Sequence, residues 1–427
     1  MLRTNCVFRI RPWLIPSLYA SVAILLGFGV PRIESHLVRG LGSPVSLSSA
    51  TTIYSSVASG MIALTGIVFS LTFVMVQFSA TAYSPRLALW MARDRLLSHA
   101  LGMFIATFVY AIAALAWLDR DQTPKVPFVS SWLVVGFLLA SMGMFIALIE
   151  RLGLLQVQRM LAFTGDQGRK VVQKTYPALD ARPLPVPSEV FSAMLPTQVL
   201  TYEGKPRAVQ SFDTERLVSL ATRYGGVIEA VASVGDTVAK LTPVLRVFGT
   251  AKEMPEKLLM DAIELGDQRT FNQDPKYAIR LLVDIAIRAL SPAVNDPTTA
   301  TQALDQIGDL LVRLGLRRLE IGAFHDNNGI LRLVIPFPSW EDFLRLAFDE
   351  IRYYGASSLQ VMRRMRALVS DLISVLPEER HPGLVYWQQR LQDTVTRSFA
   401  DANDKLEAST EDRQGLGTSR GRSVARG

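Results

Sequence analysis

The chain has 427 residues, 49% hydrophobic and 19% charged, with a net charge of +7. The charged share lies below the ~25% of an ordinary soluble domain. The deficit is local, because residues 1–150 hold ten Lys/Arg and five Asp/Glu while the rest hold 35 and 33. This excludes a single soluble globule and a disordered chain, and the lone Cys6 excludes an internal disulfide scaffold.

Four stretches, about 13–30, 53–78, 97–118 and 128–149, are predicted to cross a bilayer, because roughly 20 apolar residues match the hydrocarbon thickness. Arg3, Arg9 and Arg11 precede the first, as in a secretory signal. Pro31-Arg32-Ile33-Glu34 offers no small-residue cleavage site, however, so the segment reads as an anchor. Lys and Arg gather at the N-terminus, between spans two and three (Arg86, Arg93, Arg95) and after span four (Arg151, Arg159, Arg169, Lys170, Lys174). The two remaining loops carry two each, which places both termini in the cytoplasm. Trp13, Trp117 and Trp132 fall near span ends, where amphipathic rings prefer the headgroup level.

The 46 residues from Gly40 to Pro85 contain no charge, and the span within them is rich in hydroxyls and glycine: Ser55, Ser56, Ser59, Gly60, Thr65, Gly66, Ser70, Thr72, then Gln77. Such residues line hydrated paths, and they also bond back to their own helix carbonyls. Ser59, Gly60, Thr65, Gly66 and Gln77 are the pore-lining candidates, with Arg86 a gating candidate in the interfacial elbow that Ser84-Pro85 starts. Small residues at four-residue spacing (Ser56/Gly60, Gly102/Ala106, Gly136/Ala140, Gly143/Ala147) are suited to close helix packing. No ionisable residue falls in a span core, which argues against a proton relay and leaves a passive channel open.

Beyond residue 150 the fourth helix is expected to run on towards about Thr175, until Pro177, Pro183, Pro185 and Pro187 end it and mark a linker, so that 151–182 is helical extension and linker. Residues 183–250 read as a small β subdomain. Arg207–Phe212 is strand-like, Asp213 caps a helix, and Gly-Asp turns separate short strands in the rhythm of a barrel-sandwich hybrid. No lysine sits in a carrier-type turn, so a rigid spacer is expected instead of a swinging arm. Residues 251–409 are mainly helical, with one hairpin around His325-Asp326-Asn327-Asn328-Gly329. Arg280, Asp284 and Arg288 share a helix face, a pattern that serves as an anion clamp or a surface ion-pair ladder. Asn295 and Asp296 lie in a turn with a proline at each end. The tail, 410–427, is Gly/Ser/Arg-rich and expected to be disordered. The fold class is therefore a four-helix transmembrane N-terminal region plus an α+β cytoplasmic domain.

Four N-terminal spans, Ser84-Pro85-Arg86, the Tyr224-Gly225-Gly226 segment and the run Ser291-Pro292-Ala293-Val294-Asn295-Asp296-Pro297 together resemble domain-of-unknown-function family 2254, bacterial predicted membrane proteins. The resemblance covers nearly the whole chain and implies a bacterial inner-membrane location. Where that family often carries histidines at the foot of the fourth span, this chain has Glu150-Arg151, so no metal or haem role is expected there.

No Walker loop, His-Glu-x-x-His, nucleophile elbow, dinucleotide glycine pattern or Cys-x-x-Cys occurs, so the expectation is a non-enzyme without cofactor. The near-balanced charge beyond residue 150 argues against nucleic acid. Two functional readings stand. One is a homo-oligomeric channel or passive transporter gated by its cytoplasmic domain. The other is a membrane-anchored scaffold or sensor whose cytoplasmic domain binds a protein or a small ligand, with the Asp284–Thr298 stretch as one place for it.

Overall fold

The computed structural model describes residues 13–37, 45–82, 95–120, 126–152, 157–179 and 194–417. They divide into two compact units, 1–156 and 157–427.

The first unit holds α1 (Leu14–Leu37), α2 (Leu47–Ala82), α3 (Arg95–Arg120) and α4 (Phe128–Leu152). Each contains a stretch long and apolar enough to span a membrane. Two boundaries differ from expectation. α1 continues through Pro31 to Leu37, because in lipid-facing helices the backbone group freed by a proline is re-satisfied locally. α2 begins at Leu47 instead of residue 53, recruiting the serines of the lead-in. α3 is the central helix, with α1, α2 and α4 each packing on it. A side chain at Gly27 would meet Ala113, and one at Gly102 would meet Tyr19. Both glycines therefore let α1 and α3 approach closely. At the far end of α1 the buried Glu34 carboxylate accepts from the amides of Val129 (2.9 Å) and Ser130 (3.2 Å), capping α4 from another helix.

In the second unit α5 (Val157–Thr175) packs against α8 (Pro275–Ala289) and α9 (Pro297–Gly315). Its Met160, Leu161, Val171 and Val172 are buried, and Gly168 lies where any side chain would meet Leu310 and Ala278. α5 is thus part of this unit's core. The expected continuity from span four falls on residues 153–156, outside the described residues. The remaining helices are α6 (Thr214–Tyr224), α7 (Glu256–Met260), α10 (Trp340–Tyr354), α11 (Leu359–Val375), α12 (His381–Ser398) and α13 (Ala402–Ala408). Asp213 caps α6, and Gly225, at φ 72°, ends it in the left-handed conformation that glycine adopts without strain.

The strands are β1 (Gln198–Tyr202), β2 (Arg207–Phe212), β3 (Val227–Ala230), β4 (Thr237–Val238), β5 (Thr242–Phe248), β6 (Ile263–Gly266), β7 (Ala323–His325) and β8 (Leu331–Val334). One sheet runs β1-β5-β3-β8-β7 and the other β4-β2-β6. β7 and β8 form the expected hairpin. β8 pairs in parallel with β3 (Ile228↔Leu333), so strands from both sides of residue 250 share one sheet. The packed chain also extends past residue 409, into part of the tail expected to be disordered. The buried Asp412 carboxylate accepts from the amides of Gln414, Gly415 and Gly417, and Arg363 donates to the Gly417 carbonyl. These bonds hold 411–417 on α11.

Candidate functional site

The second span separates its polar residues by face. Ser48, Thr52, Ser55, Ser59, Ala63, Gly66, Ser70 and Gln77 recur at the helical period and are all exposed. Tyr54, Val57, Ala58, Met61 and Val68, on the opposite side, are buried in the unit's core. The threonines bond back to their own helix: Thr51 and Thr52 donate to Ser48 O (2.9 and 2.8 Å), Thr65 to Met61 O and Thr72 to Val68 O (both 2.7 Å). Ser55, Ser59 and Ser70 make no side-chain hydrogen bond among the described residues. The candidates therefore divide: Ser59, Gly60, Gly66 and Gln77 face outward, whereas Thr65 is half-buried and satisfied within its helix. Arg86 and its elbow lie outside the described residues.

The small-residue pairs divide likewise. Gly102 and Ala106 are used inside the unit, but side chains built at Gly60, Gly66, Gly136 or Gly143 would meet nothing. Close-packing positions on α2 and α4 are thus left open on a single chain.

In the second unit the expected helix-face triad resolves into an ion-pair network that joins two helices. Arg280 donates bidentately to Glu350 on α10 (2.7 Å to each oxygen) and through Nε to Asp284 (2.7 Å). Arg288 is not part of this network. The Arg280 fork holds the Glu350 carboxyl below its ordinary pKa, against the opposing effect of partial burial. A depressed carboxylate pKa stabilises the fold above the unfolded-state value, and that contribution is lost as pH falls through the folded one. Because Glu350 is 45% exposed, the pair contributes about 1 kcal/mol or less. Glu350→Gln is expected to lower the unfolding midpoint slightly at neutral pH and to flatten its fall on acidification. An unchanged acid profile in thermal melts would show the pair to be inert.

The turn before α9 is built for chain reversal. Asn295 sits at φ 47°, a conformation Asn tolerates, and Asp296 accepts from the Thr299 amide and hydroxyl as the cap of α9. Glu34, Tyr54 and Tyr110, a buried polar group in the first unit, escape sequence reasoning. Glu34 follows a proline that reads as a helix stop, and the tyrosines lie amid apolar residues.

An apolar four-helix unit followed by an α+β unit is the arrangement of a multi-span membrane protein in contact with the lipid bilayer. The chain belongs to the family described as "Predicted membrane protein (DUF2254)", which it matches over residues 9–371. It is similar to uncharacterized proteins of Mycobacterium bovis (Mb1321c) and Mycobacterium tuberculosis (Rv1290c). Each is 29% identical over 414 residues, covering 92% of this chain and 78% of the relative. No solved structure matches the chain.

Proposed function

We propose that the protein is a non-enzymatic, oligomeric channel or passive transporter of the bacterial inner membrane. Both termini are cytoplasmic, the α2 stripes of several copies line the path, and the α+β unit gates it. The observation that carries this reading is the α2 stripe. The Ser55, Ser59 and Ser70 hydroxyls face away from the unit's core with no hydrogen-bond partner among the described residues, and each such group facing hydrocarbon costs roughly 1–3 kcal/mol. Water in a pore, or a neighbouring copy, removes that cost. The open glycines on α2 and α4 supply surfaces on which copies can approach.

Ion flux through liposomes reconstituted with the full chain tests the proposal. Ser59→Leu and Gly66→Leu are each expected to cut flux about tenfold, as an added barrier of about 1.4 kcal/mol does. Ile62→Leu, on the flank of the stripe, should leave it unchanged. Absence of flux from the unaltered chain, or equal flux from all four, would sink the reading. The scaffold reading draws on one observation: Tyr353 and Tyr354, at the end of α10, are exposed large side chains in the second unit.

A further inference from the structure

The end of the first unit at which α1 stops and α4 starts contains oxygen groups that the chain's own bonding does not satisfy. Glu34 is 7% exposed, Tyr54 3%, Tyr110 0% and Ser130 2%. The two Glu34 oxygens each accept one α4 amide, which uses about half of the lone pairs of an ionised carboxylate. Tyr54 Oη and Ser131 Oγ bond to each other at 2.8 Å, and Ser131 donates to Pro127 O. Tyr110 Oη shares this environment with Ser130, Tyr54 and Glu34. Tyr110 Oη and Ser130 Oγ lie beside each other, but neither meets a partner at hydrogen-bond geometry among the described residues. Ser130 is also the residue whose amide holds Glu34, so its hydroxyl belongs to the same helix end as the carboxylate. Two adjacent buried hydroxyls that do not reach bonding geometry, near a carboxylate, are costly in a medium without water, and they point to a guest that bridges them.

We propose that Glu34, Tyr110 and Ser130, closed over by Tyr54, form a binding site for an alkali-metal cation, with Na⁺ the reference ion. The donor set consists of hard oxygens without His or Cys, which suits an alkali or alkaline-earth ion and not a transition metal. Its single negative charge is neutralised by a monovalent ion, whereas Mg²⁺ or Ca²⁺ would leave a net charge buried in low dielectric. The cation takes lone pairs from Tyr110 and Ser130 and the free lone pairs of Glu34, and the α4 cap stays intact. The site lies off the α2 stripe, so it stands whether or not the protein conducts.

The test uses the full chain in detergent, with thermal unfolding measured at matched ionic strength in NaCl, KCl and choline chloride, together with ²²Na⁺ binding. A ligand that binds only the folded state raises the midpoint with its concentration. The expected result is a saturable rise in NaCl or KCl over choline, with about one ²²Na⁺ bound per chain. Tyr110→Phe, which leaves the Glu34 cap in place, should abolish both the rise and the binding without loss of folding in choline. Equal midpoints in all three salts, or a Tyr110→Phe shift that is the same in sodium and choline, would mean that the pocket holds only a water, overturning the proposal. A rise on acidification in choline with no response to alkali cations would assign the pocket to a proton and overturn it equally.

Discussion

A chain shortened to begin at residue 176 is expected not to fold, whereas one beginning at residue 157 is expected to unfold cooperatively. Residues 157–175 read in the sequence as a helical extension of span four, and in the structure they form a helix buried in the second unit. Met160, Leu161, Val171 and Val172 would be lost from the core, each contributing about 1.5–3 kcal/mol, or roughly 6–12 kcal/mol together. That is comparable with the about 5–15 kcal/mol that a domain has in total. The Arg169–Asp309 ion pair (2.7 Å) goes with them, and the apolar sides of α8 and α9 meet water. Circular dichroism and proteolysis of the two shortened chains decide the matter. Equal protease resistance would show α5 to be dispensable.

The second large effect is expected at Trp340. This side chain, 2% exposed, opens α10 and joins three helix ends. Its Nε1 donates to Arg380 O (3.1 Å), its ring lies 5.7 Å from the Arg380 guanidinium, and Arg380 donates in turn to Arg317 O (3.0 Å), just past the end of α9. Trp340→Ala removes the ring and the indole hydrogen bond, at a cost of about 3–5 kcal/mol. For a domain of this size the midpoint should drop by roughly 6–20 °C. Trp340→Phe keeps most of the packing and should cost nearer the about 0.5–1.5 kcal/mol of a single hydrogen bond, plus a small cavity. Thermal melts of the full chain provide the measurement. Equal melting of both variants would place the weight of this joint on the hydrogen bond alone.

Much of the helical architecture was legible because its signals are local. Charge exclusion marked all four spans. Residues 251–409 read as mainly helical, and the face shared by Arg280, Asp284 and Arg288 marked α8, whose other face is buried in the core. Strands β2, β3 and β5 and the hairpin could be read from alternation and turn residues. The parallel partner of β3 could not be read, because Ile228 and Leu333 are far apart along the chain and no local pattern links them. The same holds for α5, whose apolar face was visible but not what would cover it. At the candidate site, composition identified the polar second span. Only the fold shows that its threonines are satisfied internally while its serines look outward. Glu34 was hidden because a proline that stops helices in water does not stop this one.

The parallel pairing of β3 with β8 also sets an order of events during synthesis. The four spans enter the bilayer while the second half of the chain is still being translated. The central strand β3 must then wait, with one edge unpaired, for β8 to leave the ribosome. Pairing across such a separation slows folding and leaves an aggregation-prone strand exposed in the interval. Nascent chains arrested before residue 331 should therefore be inserted in the membrane yet still depend on chaperones, which sit at the ribosome exit while the sheet remains incomplete.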